Sequence, residues 1–204
     1  KVKRAGQFLW EPLSDHDQIN SGDQVRTGTD GSAQLVYFDN TTMTVNPGTL
    51  LEIRELFRDQ TRRTQRVSER LAWGQLSAQT QDNEGFESVH EVSTQSAAVR
   101  ARHSAEFQVR HDAQSNKSEV VASRGELTLK TDTQEMAVPE STRVTFDGGG
   151  QVLEKINLLD APRLSAPADQ KTFMAPTESA VTLTWIPVER AAEYHVQVSE
   201  RPLF

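Results

Sequence analysis

Short runs in which apolar and polar residues alternate, separated by turn residues, dominate the chain and predict an all-β protein. A turn at Gly28-Thr29-Asp30-Gly31 leads into Ser32-Ala33-Gln34-Leu35-Val36-Tyr37-Phe38, where Ala33, Leu35 and Tyr37 share one face and Ser32, Gln34, Val36 and Phe38 the other. Asp39-Asn40 reads as a tight turn with Asn40 in the left-handed region, and Thr42-Met43-Thr44-Val45 returns as a strand before Asn46-Pro47-Gly48. Leu50 to Leu56 fits both the helical and the strand period. A strand is the expectation, because Asp59-Gln60-Thr61-Arg62 makes a polar loop into a further strand-like run, Arg66 to Gln79, in which Val67, Leu71 and Trp73 alternate. Core packing is expected for Trp73.

After the polar loop Gln81-Asp82-Asn83-Glu84-Gly85, strand-like runs recur at 87–94, 97–102, 106–111, 119–123, 126–130, 134–138 and 143–146. Asp147-Gly148-Gly149-Gly150 breaks the series, and 152–159 reads as a last strand or a connector. Pro162, Pro167 and Pro176 then cluster as at an inter-domain linker, which places a boundary near residue 160 and domains at 1–160 and 161–204. With 35% apolar residues in 204, only a thin core is possible. A twisted β-solenoid or a barrel-like domain is expected for 1–160.

The net charge of −7 argues against a nucleic-acid partner. One basic stretch carries Arg54, Arg58, Arg62, Arg63, Arg66 and Arg70, interrupted by Glu55, Asp59 and Glu69. It reads as a solvated hairpin face, or as a patch for an anionic partner. The absence of cysteine excludes a disulfide scaffold, a zinc-thiolate site and a thiol nucleophile. No apolar stretch is long enough for a membrane span, no signal peptide stands at Lys1, and the start has the look of an excised or processed fragment.

No catalytic, cofactor or metal site is assigned, and a non-enzymatic protein is expected. His16 lies between Asp15 and Asp17 in a polar loop. His103, Glu106 and His111 are ligand types suited to zinc, but in a strand residues three apart face opposite sides. No Gly-x-Ser-x-Gly elbow is present, and no Gly-rich loop precedes a helix. Trp10, between Phe8-Leu9 and Glu11-Pro12, could stack on a sugar and joins the arginines as a candidate interaction surface. Binding through strand edges and loops is what remains.

Several segments together resemble the FecR domain, a bacterial extracytoplasmic β module. The first runs from Ile19-Asn20-Ser21-Gly22-Asp23-Gln24-Val25-Arg26-Thr27-Gly28 through Gly31-Ser32-Ala33-Gln34-Leu35 to Asn46-Pro47-Gly48-Thr49-Leu50-Leu51. The second runs from Val92-Ser93-Thr94-Gln95-Ser96-Ala97-Ala98-Val99-Arg100-Ala101-Arg102 to Glu106-Phe107-Gln108-Val109, followed by Val121 to Leu127 around Gly125. The resemblance covers residues 6–147. It departs where Arg102-His103-Ser104-Ala105 replaces a Gly-Thr pair, and where the Asp-Gly-Ser hairpin reads Asp39-Asn40-Thr41. Residues 161–204, with Trp185, Tyr194, Val196 and Val198, look like the first half of a fibronectin type III or Ig-like sandwich.

The resemblance implies a non-catalytic interaction or scaffold module in the periplasm or cell envelope of a Gram-negative bacterium, binding a protein partner or peptidoglycan within a larger wall- or outer-membrane-associated protein. The alternative is the periplasmic sensory part of a FecR-type sigma-factor regulator that binds an outer-membrane receptor. Continuation into Trp185-containing strands, rather than a small α/β signalling domain, favours the first. Alanine at His16, His103 or His111 is expected to leave stability and binding nearly unchanged.

Overall fold

The computed structural model describes residues 1–83, 85–159, 162–168, 181–194 and 196, and the chain divides into two compact units, residues 1–157 and 158–204. The first unit is built from β1 (Val2–Lys3), β2 (Gln24–Arg26), β3 (Ala33–Val36), β4 (Thr42–Val45), β5 (Leu50–Asp59), β6 (Thr64–Thr80) and β7 (Glu87–Ser93). It continues through β8 (Ala97–Ala101), β9 (Ala105–Asp112), β10 (Lys117–Arg124), β11 (Leu127–Thr131), β12 (Glu135–Val138), β13 (Thr142–Phe146) and β14 (Val152–Asn157). Among the described residues there is no helix, so the strand reading of Leu50 to Leu56 holds.

The fourteen strands form one strongly curled, half-barrel-like sheet, whose longest path is β12-β11-β8-β7-β6-β9-β10-β13-β14. Every pairing is antiparallel except β6 with β7. A solenoid stacks parallel coils, so of the two architectures expected for 1–160 the strands follow the barrel-like one.

The 17-residue β6 organises this sheet. Its first half pairs with β5 and β7, and its second half with β4 and β9. Gln65, Val67, Glu69 and Leu71 are buried in the first half, and Leu76, Ala78 and Thr80 in the second, so the inward phase moves by one residue between them. The register accounts for the shift: Leu51 lies opposite Leu71 and Leu50 opposite Trp73, leaving Ala72 as an extra residue. A bulge of this kind exchanges the two faces of a strand. Trp73 is therefore turned outward and is 42% exposed, which corrects the expectation that it packs in the core.

Gly74 follows at φ 99°, and a Cβ there would lie 2.6 Å from the Thr49 Cα. Thr49 is fully buried; its hydroxyl accepts from the Gln75 N–H at 3.0 Å and donates to the Gln75 carbonyl at 3.2 Å. The link Asn46-Pro47-Gly48-Thr49 thus crosses over β6 where β6 passes from one half of the sheet to the other.

Inside the curl, alternate residues of each strand make one core, including Met43, Leu51, Ile53, Leu71, Leu76, Phe107, Val120, Leu129, Val144 and Phe146. β9 shows the pattern without interruption, with Ala105, Phe107, Val109 and His111 all buried.

In the second unit β15 (Leu164–Ala166) pairs with β16 (Thr184–Trp185), and Trp185 stacks obliquely on Tyr194 with ring centroids 5.3 Å apart. Val196 is half exposed, and Val198 lies outside the described residues.

Gly74→Ala is expected to destabilise the protein by at least about 3 kcal/mol, because it adds both a positive-φ penalty and a backbone overlap. Gly31→Ala, with open space around the new methyl and no positive φ, should stay within about 0.5 kcal/mol of the parent. Urea unfolding of the two variants checks both values.

Candidate functional site

A groove of about 1190 Å³ in the first unit is lined by the loop 13–20 and by Gly31 to Phe38. β3 supplies the second wall with its open edge, since among the described residues it pairs only with β4. The Tyr37 N–H donates to the Thr41 carbonyl at 2.9 Å, which fixes the parity of the ladder. Ala33, Leu35 and Tyr37 direct their backbone groups at β4, while Gln34 and Val36 direct theirs into the groove. Leu13, Ile19 and Leu56 line it with apolar surface, and Val36 is 65% exposed.

A buried polar network backs the groove, and it joins the two halves of the curled sheet. The hydroxyl of Tyr37, which directly follows β3, donates to Glu69 of β6. Asp39, in the β3–β4 turn, holds His90 Nε2 of β7 at 2.6 Å through Oδ2, accepts from Gln65 Nε2 at 3.3 Å and receives the Thr41 N–H at 3.0 Å through Oδ1. Thr41 Oγ1 lies 3.2 Å from the same His90 nitrogen, and Gln65 also bonds Ser88. Asn40 takes φ 64°, the left-handed conformation expected of it in the turn.

Burial pushes the Glu69 carboxyl up to about 8, against the opposing pull of the Tyr37 hydrogen bond. Tyr37 is itself raised well above its ordinary value, by burial and then by Glu69. Burial alone would raise Asp39 too, but the His90 hydrogen bond and charge and the Thr41 N–H more than offset it, and its carboxyl sits below the usual range.

Asp23, of the Gly22-Asp23 pair, fixes the ends of the neighbouring loops. It accepts from Arg4 Nη1 at 2.9 Å, the Ala5 N–H at 2.9 Å and the Asn20 N–H at 3.0 Å. Burial works against the ionised form here as well, and these donors outweigh it, so the Asp23 carboxyl is lowered.

The residues singled out from sequence do not gather here. Arg54 is the extra residue of a bulge in β5 and pairs with Glu52 at 3.1 Å; Arg62 and Arg66 lie 3.9 Å from Asp59 and Glu55. Arg63 occupies the β5–β6 turn at φ 51°, Arg70 is exposed on β6, and Arg58 lies over the rings of Phe38 and Phe86. Trp10 sits between Lys3 and Arg26. His16 lines the groove, His103 is exposed beside Asp82, and His111 is buried against Ser118 at 2.9 Å. Among the described residues, no three His, Cys, Asp or Glu side chains converge as a metal site.

Sequence reasoning missed Tyr37, Asp39, Thr41, Gln65, Glu69, Ser88 and His90. A signal was available: Gln65 and Glu69 share the inward phase of Val67 and Leu71, and Ser88 and His90 that of Val92.

Glu69 keeps its proton in the folded protein up to about 8, whereas the unfolded chain loses it near 4.5. Stability should therefore fall as pH rises between these values and level off above them. Glu69→Gln keeps the hydrogen bond and removes the titration. It should flatten the thermal-unfolding profile and exceed the parent above pH 8 by on the order of 5 kcal/mol. Parallel profiles for the two proteins would contradict this.

Comparison with known proteins bears on what such a groove serves. No curated protein matches the sequence. Two crystal structures of a putative anti-sigma factor from Parabacteroides distasonis share the fold, at 18% identity and TM-scores of 0.54 and 0.53, over 66% of this chain and 59% of theirs. The chain thus spans less than two thirds of the length of those structures. Residues 23–128, from the buried Asp23 to the middle of β11, match the family described as FecR protein, and the chain belongs to that family.

Proposed function

We propose that this chain is the extracytoplasmic sensory module of a FecR-type sigma-factor regulator, and that it binds an outer-membrane receptor by accepting an extended segment along the open edge of β3. The observation that carries this reading is the groove itself. One wall is a strand edge with backbone groups of Gln34 and Val36 turned away from β4, and the other is a loop with apolar Leu13 and Ile19. Strand addition of this kind draws affinity from main-chain hydrogen bonds and specificity from side-chain pockets on alternate residues. It requires no catalytic group, in keeping with a family that is generally non-catalytic. The structural relatives are anti-sigma-factor structures, which supports the regulator over the wall scaffold put first from sequence.

Open edges are a hazard, and this one is guarded. The loop 13–20 faces it, and the strand is only four residues long. A receptor segment would compete with neither β4 nor the polar network behind it.

A second reading, an envelope scaffold that touches peptidoglycan, draws on the β15–β16 pair and the Trp185–Tyr194 stack of the second unit. Neither the family match, confined to residues 23–128, nor the structural relatives give evidence of a fibronectin-like continuation there.

Val36→Pro removes one groove-facing N–H and leaves the β4 ladder intact, and Val36→Lys places a charge at the open edge. Both variants should keep the parent's circular dichroism and thermal midpoint while abolishing sigma-factor-dependent reporter transcription in cells carrying the full-length protein. Normal signalling by two folded variants would sink the edge-binding reading. Retention of the purified chain by insoluble peptidoglycan sacculi, with reporter transcription unaffected by either variant, would transfer the assignment to the scaffold.

A further inference from the structure

The loop between β1 and the bridge at Glu11 presents two adjacent apolar side chains to solvent: Phe8 is 95% exposed and Leu9 is 77% exposed. Large side chains this exposed occur singly on most surfaces; two together at a loop tip call for an explanation. A floppy loop would be one, but this loop is held at both ends. Val2 and Glu11 exchange backbone hydrogen bonds at 2.9 and 2.8 Å, and the Gln7 N–H donates to the Arg4 carbonyl at 3.0 Å. The buried Asp23 carboxylate anchors Arg4 and Ala5, and a Cβ at Gly22 would come within 2.9 Å of the Ala5 Cβ. The fold therefore fixes the base of this loop and leaves its tip apolar.

Cations gather at the base of the loop, around Trp10. Lys3 Nζ lies 5.6 Å from the Trp10 ring centroid, and the Arg26 guanidinium lies 4.8 Å from it. The cation nearest the loop on its other side, Arg4, is neutralised by Asp23. An apolar tip, an amphipathic tryptophan at its base and a cationic collar are placed together on a chain whose net charge is −7. That local reversal of sign is the feature that identifies the occupant. Anionic phospholipid attracts such a collar, and its acyl boundary accepts a small apolar wedge, while tryptophan sits at headgroup level.

We propose that the loop Arg4 to Trp10 is a peripheral membrane-contact site, in which Phe8 and Leu9 enter the surface of a membrane bearing anionic phospholipid while Lys3 and Arg26 meet its headgroups. The contact shares Arg26 with the lining of the β3 groove, but its apolar tip, Phe8 and Leu9, lies outside that lining, and it does not depend on the regulator reading.

Co-sedimentation of the 204-residue chain with vesicles tests it. The chain should pellet with vesicles containing phosphatidylglycerol and bind pure phosphatidylcholine about tenfold more weakly, with added salt reducing the binding. The double variant Phe8→Ser with Leu9→Ser should lose about tenfold in binding with an unchanged thermal midpoint, since neither side chain packs in the core. Lys3→Glu should weaken binding to the anionic vesicles only. Trp10 fluorescence should shift to the blue on binding, a change absent in Trp10→Phe. Failure to pellet with anionic vesicles, or equal binding by the double-serine variant, would overturn the proposal. So would concentration-dependent self-association that the double-serine variant abolishes without any vesicle binding by the parent, because the tip would then serve a second copy of the chain.

Discussion

The structure depends on one strand serving two halves of a sheet. β6 can do so only by changing which of its faces looks inward, and the bulge at Ala72 makes that change in a single residue. The backbone that results must pass close under the β4–β5 link. Only a residue without a Cβ fits at position 74, because Thr49 occupies the space and φ is positive. Thr49 then completes the crossing by giving the kinked Gln75 backbone both a donor and an acceptor, so the bend leaves neither Gln75 backbone group unpaired where water is excluded. β5 meets the same demand with its own extra residue, Arg54.

The curl created by this bend brings the β3–β4 turn over β6 and β7, and a polar network rather than apolar packing fills the contact. Asp39 reaches His90 and Gln65, and Tyr37 reaches Glu69, so the turn is located by directional bonds. An apolar contact would tolerate sliding; these bonds fix one register, and a half-satisfied network in a low dielectric is costly. Among the described residues, Gln65 Oε1, Glu69 Oε2 and His90 Nδ1 find no hydrogen-bond partner, so the network is incompletely satisfied. A protonated Glu69 answers part of that cost, in agreement with its raised value. The consequence for function is positional: the network holds β3 from behind, and its other edge stays open to the groove.

Much of this was legible in the alternation of side chains. The strands at 106–111 and 143–146 have unbroken period two, and the structure reproduces them within a residue or two. Leu50 to Leu56 was ambiguous for a reason now visible. Leu51, Ile53 and Leu56 share a face at spacings of two and then three, and the bulge at Arg54 produces the same spacing that a helix would. Trp73 was misassigned because a bulge in the strand leaves no mark on composition. The groove was not legible at all, because its two walls come from residues 13–20 and 31–38, and their separation depends on the crossing at Gly74. The arginines drew attention as a run, yet on a hairpin their partners Glu52, Glu55 and Asp59 are equally close in space.

Asp23 links the remaining features and explains why the segment around it carries so much of the family pattern. Its carboxylate is nearly inaccessible, yet three donors from two loops converge on it, one of them charged. One side of that convergence is Asn20, which closes the loop that forms the outer wall of the groove; the other is Arg4 and Ala5, which begin the loop tipped by Phe8 and Leu9. A single buried acid therefore sets two exposed surfaces at once, and the depressed Asp23 value means that its hold persists above the ordinary carboxylate range and is released only as pH falls through the folded value. Replacing it would leave two backbone donors short of an acceptor and the partly exposed Arg4 guanidinium with only the Gln18 carbonyl, so both surfaces would loosen together while the core inside the curl stayed packed.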